Sequence, residues 1–324
     1  MIGVAWHLLR FGPTCRALRA GCGALALLAL AACSSLPRVV PDLARHARPA
    51  PQLVGARGPL TAAQSLAVLE RLRSRSPDSD LLTRHLALEE AVVGSPLTTG
   101  NEVRLLQDGP ATYRAMLAAI EGARDHVHME TYILDDDAVG RQFARALIAR
   151  QRAGVQVHLI RDSVGTLGTP AAFFDELEAS GVQVLEFNPI NPAAVRKDWQ
   201  LNQRDHRKLL IVDGRIAFLG GINISGVYAS GSFGKRRPAP LAPADAAASS
   251  PDESLPWRDT DLQLRGPVVA ELQKLFIATW QAQRGEPLPA KNHFPPPEAA
   301  GQQVVRAIGS SPEEPYSQIY ATLL

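Results

Sequence analysis

The chain has 324 residues, 46% of them hydrophobic and 20% charged, which supplies enough apolar side chains for a buried core and excludes wholesale disorder. A formal charge of +2, from 34 basic against 32 acidic residues, argues against a protein devoted to coating nucleic acid. Three cysteines cannot make a disulfide framework.

The first element is a processing signal. Arg10, Arg16 and Arg19 precede an uncharged apolar run from Ala20 to Ala32, too short to cross a bilayer core, which takes roughly 20 helical residues. The run closes on Leu30-Ala31-Ala32-Cys33-Ser34-Ser35, which resembles the lipobox of bacterial lipoproteins. That resemblance implies a signal peptide over 1–32, cleavage before Cys33 and acylation of its thiol. Cys15 and Cys22 would leave with the signal, and two or more acyl chains would hold the protein on a membrane surface. The absence of aspartate after Cys33 favours the outer membrane in the bacterial sorting pattern, facing the periplasm. Residues 33–60, rich in Pro, Ala and Arg, read as a tether.

Residues 61–100 form a helical extension, with apolar spacing near 3.6 and a break at Ser76-Pro77-Asp78. From Asn101 the pattern sharpens. Strand Glu102 to Leu106 leads through Asp108-Gly109-Pro110 into a helix from Thr112 to Ala123. Strand His126 to Leu134, helix Val139 to Arg152, strand Val155 to Ile160, helix Ala171 to Ser180 and strand Val182 to Phe187 come next, with Gly154 and Gly181 as helix stops. Two apolar runs, Lys208 to Asp213 and Arg215 to Leu219, meet at Asp213-Gly214, a hairpin signal. Residues 229–256 are Ala, Pro, Ser and Gly around a Lys235-Arg236-Arg237 cluster, the composition of a mobile insertion. Strand Thr260 to Leu264 and helix Val268 to Gln283 complete an α/β fold in which a mixed sheet is flanked by helices on both faces.

The chemistry is concentrated around His206-Arg207-Lys208. On a strand, His206 and Lys208 point to the same face, so an imidazole and an ammonium converge. That pair suits a phosphodiester: neutral imidazole can attack phosphorus, and a fixed cation with an amide donor such as Asn223 stabilises the charge that builds on the non-bridging oxygens. The scheme requires no metal and no cofactor. His126, His128 and Glu130 alternate onto one strand face and are metal-ligating types, but in a strand with no cysteine nearby they read as core or pocket wall. Asp135-Asp136-Asp137 reads as helix capping.

His206, Lys208, Asp213, Gly220, Gly221 and Asn223 stand in the pattern H-x-K-x4-D-x6-G-[GS]-x-N, which resembles the phospholipase D superfamily; chance agreement at all six positions is on the order of one in a hundred thousand at ordinary residue frequencies. Met129-Glu130-Thr131-Tyr132, Asp162-Ser163-Val164-Gly165, Phe187-Asn188-Pro189, Arg204-Asp205 and Trp257-Arg258-Asp259-Thr260 narrow the resemblance to bacterial cardiolipin synthases, over about 101–280. The resemblance implies a phospholipase D-like domain over 101–287, a covalent phosphohistidine at His206, and transfer of a phosphatidyl group from one phospholipid to the hydroxyl of another. It also implies that Asp259, 53 positions after His206, orients the nucleophile, and leaves Asp213 open between a structural and a direct role.

In the superfamily a second histidine, from a second copy of the motif, protonates the leaving alcohol. Here one copy is present, yet Val305-Arg306-Ala307-Ile308 followed by Pro312 and Tyr316 repeats the start at Val103-Arg104-Leu105-Leu106, so 288–324 reads as the beginning of an incomplete second repeat. Three expectations arise: two chains pair to complete one site on a phospholipid; the chain is an inactive, truncated lipid-binding half; or it is a phosphodiesterase or nuclease active only as a dimer, which the near-neutral charge and the lipid anchor disfavour.

Overall fold

Asp213 and Gly214 both take left-handed backbone, φ 54° and 62°, and Arg215 N–H closes the turn on the Val212 carbonyl at 3.0 Å. This is the two-residue hairpin turn whose twist matches that of the strands it joins. In the computed structural model residues 51–75, 85–190 (except 87 and 91), 203–229, 257–310 and 317–323 are described. The apolar N-terminal run, Cys33, most of the tether, the break at Ser76-Pro77-Asp78 and the insertion beyond residue 229 lie outside the described residues. In chain order the elements are β1 (Leu53–Gly55), β2 (Gly58–Pro59), α1 (Ala62–Arg73), β3 (Leu97–Leu106), α2 (Gly109–Glu121), β4 (His126–Thr131), α3 (Ala138–Arg152), β5 (Gln156–Asp162), α4 (Ala171–Ala179), β6 (Gln183–Phe187), β7 (Leu209–Val212), β8 (Ile216–Gly220), β9 (Asp261–Arg265), α5 (Val268–Ala282), β10 (Gln303–Arg306) and α6 (Gln318–Leu323).

The helices start where their caps dictate. Thr61 and Gln64 form a capping box on α1, the Asp108 carboxylate accepts from Ala111 N–H at the head of α2, and Asp137 accepts from Val139 and Gly140 at the head of α3. Gly154 and Gly181, at φ 88° and 89°, turn the chain out of α3 and α4.

The strands form one mixed sheet in the order β2-β1-β3-β9-β8-β7-β4-β5-β6, with β10 antiparallel to the first half of β3. The β4, β5 and β6 strands are parallel, whereas β7, β8 and β9 run alternately antiparallel from β4. Val127 and Met129 pack with Phe143, Leu147, Phe173 and Leu177 of α3 and α4 and with Ile120 of α2. The opposite face, with Leu209, Ile211 and Leu264, is covered by Leu272, Phe276 and Trp280 of α5. Helices therefore flank both faces of the sheet, the α/β arrangement expected. Each fully buried side chain of the size of Phe276 contributes about 1.5–3 kcal/mol. Among the described residues no helix is long and apolar enough to cross a membrane.

Three boundaries differ from expectation. Residues 53–59, read as the end of the tether, form β1 and β2 and add to the sheet beside β3; Leu53 is buried with Val68, Leu69 and Leu97, and its N–H donates to the Ser65 hydroxyl. The β3 strand begins at Leu97, inside the stretch assigned to a helical extension. Neither His206 nor Lys208 is in a strand. The Asp205 N–H donates to the Asp162 carboxylate and Arg207 N–H to the Asp205 carboxylate, and such side-chain acceptors take the place of ladder partners until Leu209.

Candidate active site

Strand direction gathers the site at one edge. The parallel strands β4, β5 and β6 end there at Thr131, Asp162 and Phe187, and β7 begins there at Leu209. Registers Glu130↔Leu209, Leu209↔Leu219 and Leu219↔Leu262 form one rung across four strands. One residue beyond it stand Lys208, Gly220 and Asp261, at the carboxyl edge of the parallel strands, the usual place for ligands in such sheets.

A buried carboxylate seats the histidine segment. Asp162, with its side chain fully buried, accepts from Val164 and Gly165 N–H at 2.8 and 3.1 Å through one oxygen and from Asp205 N–H at 2.9 Å through the other. Arg204 donates to the Ser163 hydroxyl and the Asn188 carbonyl. On the other side Arg207 donates to Glu130 Oε1 at 2.8 Å, to Thr279 and to the Ser310 carbonyl. Burial and the neighbouring Asp205 carboxyl push the Glu130 carboxyl well above the usual range, against the pull of Arg207.

Between these clamps His206 is exposed and Lys208 is buried, 4% exposed. The imidazole lies against Tyr132, ring centroids 4.7 Å apart. The Lys208 ammonium sits 5.3 Å from the same ring and donates to the His206 carbonyl at 2.8 Å. Burial lowers the Lys208 pKa to about 8, although Asp205, Asp259, Asp261 and Asp162 all favour the charged form. Partial burial and the Lys208 charge lower the His206 pKa below its ordinary value, which keeps the ring neutral at neutral pH.

The two glycines seat carboxylates. A Cβ on Gly220 would lie 1.9 Å from Asp261 Oδ1 and 2.5 Å from the Thr260 carbonyl, and one on Gly221 would lie 2.1 Å from Asp259 Oδ2. Asp261 accepts from Ile222 N–H at 3.3 Å, and burial raises its pKa to about 7. The Asp259 carboxylate is exposed and accepts from Thr260 N–H at 2.8 Å. It makes no hydrogen bond to His206 in this structure and is one of the acids that favour the charged form of Lys208.

Asp213 and Asn223 do other work here. Asp213 stands at the far end of β7, about 16 Å of strand from Lys208, and its carboxylate accepts from Arg124, Asp125 and His126 N–H at 2.8–3.2 Å. These bonds anchor the entry to β4. The Asn223 amide is buried, accepting from Ile133 N–H and donating to the Tyr228 hydroxyl, each at 3.0 Å. It ties the loop after β8 to the loop after β4.

His206 also borders a cavity of about 630 Å³ whose walls include Phe187, Leu219, Leu272, Leu275 and Ile308. An apolar pocket beside a cation and an imidazole suits an amphipathic phosphodiester.

Residues 116–230 match the family described as cardiolipin synthase, PLD-like domain. Residues 116–230 thus carry a domain of the phospholipase D superfamily. The chain is 31% identical over 226 residues to the cardiolipin synthase of Geobacillus kaustophilus, a match covering 69% of this chain and 41% of that protein. It is 38% identical over 189 residues to cardiolipin synthase A of Pseudomonas fluorescens, covering 57% and 34%. The chain thus spans less than half the length of these curated relatives. Among solved structures it is similar to Nuc, a phospholipase D family member from Salmonella typhimurium, at 15% identity and a TM-score of 0.38 over 56% of this chain and 95% of that one.

Within the superfamily motif, His206 and Lys208 meet at one edge of the sheet, whereas Asp213 sits at the other. Sequence reasoning had no role for Asp261, Asp162 or Asp205. Asp162 and Asp205 lay in stretches that carried the family resemblance, but the only signal for Asp261 was its position two residues after Asp259, in register on β9.

Proposed function

We propose that this chain contributes a nucleophilic half-site for phosphatidyl transfer or hydrolysis of phospholipids, cardiolipin synthase-like in its chemistry. The observation that carries the reading is the exposed, neutral His206 imidazole held beside the buried Lys208 ammonium at the mouth of an apolar cavity. An imidazole nitrogen attacks phosphorus, a P–N bond forms, and the P–O bond to the first alcohol breaks as its oxygen takes a proton. The hydroxyl of a second lipid, or water, then attacks the phosphohistidine, forming a new P–O bond, breaking P–N and giving up its proton. Lys208 stabilises the charge on the non-bridging oxygens in both steps. A cavity walled by leucine and phenylalanine favours an acyl chain over the sugar-phosphate backbone of a nucleic acid.

The proton donor for the first step is assigned to His206 of a second copy of the chain, which takes up its proton as the anionic phosphodiester docks between the two rings; among the described residues His206 has no imidazole beside it. Acylation of Cys33 would hold the pair on the membrane that carries its substrate. The decisive experiment measures phosphatidylglycerol turnover by the purified chain in mixed micelles. His206→Ala is expected to abolish it, and a wild-type chain that binds lipid but never turns it over would support the inactive-half reading instead.

A further inference from the structure

We propose that His126, His128 and His293 form a structural site for a divalent transition ion of the zinc class, which clips the segment after α5 onto β4. The three rings each offer a nitrogen, and these nitrogens lie within 4.8 Å of one another. His126 and His128 share the face of β4 turned to α5, where both meet Gln273 and His128 stacks on Phe276, and His293 reaches them from the segment beyond that helix, its ring 4.9 and 5.3 Å from theirs. Three imidazoles without a thiolate suit zinc, copper or nickel in preference to calcium or magnesium.

The outer contacts are those that orient metal-binding histidines. His126 Nδ1 is 2.7 Å from the Asp125 carboxylate, which leaves Nε2 facing inward. His293 Nε2 is 3.1 Å from the Pro289 carbonyl, which leaves Nδ1 facing inward, buried and without a hydrogen-bond partner. A carboxylate or carbonyl on the outer nitrogen fixes the tautomer and raises the basicity of the inner one. The Gln273 amide nitrogen now bridges His126 Nε2 and His128 Nδ1 at 3.2 and 3.0 Å.

This bridge does not satisfy the cluster. His128 Nε2, Gln273 Oε1 and His293 Nδ1 are all buried without hydrogen-bond partners, and His128 and Gln273 are fully buried residues. Such gathered orphans are each costly and mark a place where an ion or water belongs. An ion among the three nitrogens uses their lone pairs, and a turned Gln273 carbonyl or an entering water completes a four-coordinate shell. His293 is only half-buried, so an ion can enter past it. The cluster lies at the amino end of β4, opposite the His206 edge, and so serves the fold independently of the proposed chemistry.

The test uses the full chain, purified in detergent without a histidine tag, stripped of metal and titrated with Co²⁺ and then Zn²⁺. We expect the visible absorption of tetrahedral cobalt to saturate at one ion per chain and to vanish on adding Zn²⁺, and Zn²⁺ to raise the unfolding temperature. His293→Gln, at a half-exposed loop position that leaves the core intact, should weaken Zn²⁺ binding at least 10-fold and remove the thermal shift; Asp125→Asn should weaken it about 10- to 100-fold. Absence of the cobalt band in wild type, or a band and thermal shift that persist in His293→Gln, would overturn the proposal.

Discussion

At the scale of single residues, the candidate site holds an imidazole and an ammonium at different exposures. Lys208 is buried and His206 is exposed, and in the proposed chemistry the first serves as a fixed charge and the second as a neutral nucleophile. The proposed chemistry therefore calls for a pH above the lowered His206 pKa and below that of Lys208, about 8. The expected kcat/KM profile is a bell with its alkaline limb near pH 8. Asp261 favours the charged form of Lys208, so Asp261→Asn should lower the Lys208 pKa and move the alkaline limb to lower pH, leaving the acid limb where it was. A limb that stays near pH 8 in that variant would show that Lys208 does not control it. None of this was legible in the motif alone, because H-x-K states which groups are present and not which one is buried.

At the scale of elements, β7 separates the motif into two functions. The residues of the proposed chemistry stand just before its amino end, and its carboxyl end leads to Asp213, which satisfies three backbone N–H groups at the start of β4. Removing that acceptor leaves those donors unpaired at about 1–3 kcal/mol each. We expect Asp213→Ala to lose about 3 kcal/mol in urea denaturation, and Asp213→Asn, which keeps an acceptor and tolerates φ 54°, to lose less. His206→Ala should show the reverse pattern, with unchanged stability and no turnover. The elements themselves were largely legible: caps at Asp108 and Asp137, glycine stops at 154 and 181 and the Asp213-Gly214 turn all lie where local sequence signals put them. The exceptions, the β1–β2 hairpin and the irregular backbone of 203–208, arise from long-range partners. Leu53 needs Leu97 and Val68, and Asp205 needs Asp162, and neither partner is visible from local periodicity.

At the scale of the whole molecule, the chain carries one H-x-K pair and spans less than half of its curated relatives. If two copies complete a site, specific activity should rise with protein concentration through the monomer–dimer equilibrium. An excess of His206→Ala chain should then suppress wild-type turnover beyond simple dilution, because mixed pairs lack one histidine. Turnover that is independent of concentration and unaffected by the inactive chain would place the whole reaction on a single copy. Light scattering in detergent across the same concentrations reports the pairing directly.

By itself the sequence determined the alternation of strands and helices, the covering of both sheet faces and the residues of the phosphodiester motif, because periodicity, capping and turn chemistry are local. Only the tertiary structure decided where those residues stand and what they touch. It placed Asp213 at the opposite end of a strand from His206, turned Gly220 and Gly221 into seats for carboxylates, and drew Asp162, Asp205 and Asp261 around a lysine. It also brought His293 across more than 160 positions of sequence to His126 and His128. The physical reason is that burial and electrostatic fields depend on which side chains meet across strands and helices, and those meetings exist only once the sheet has formed.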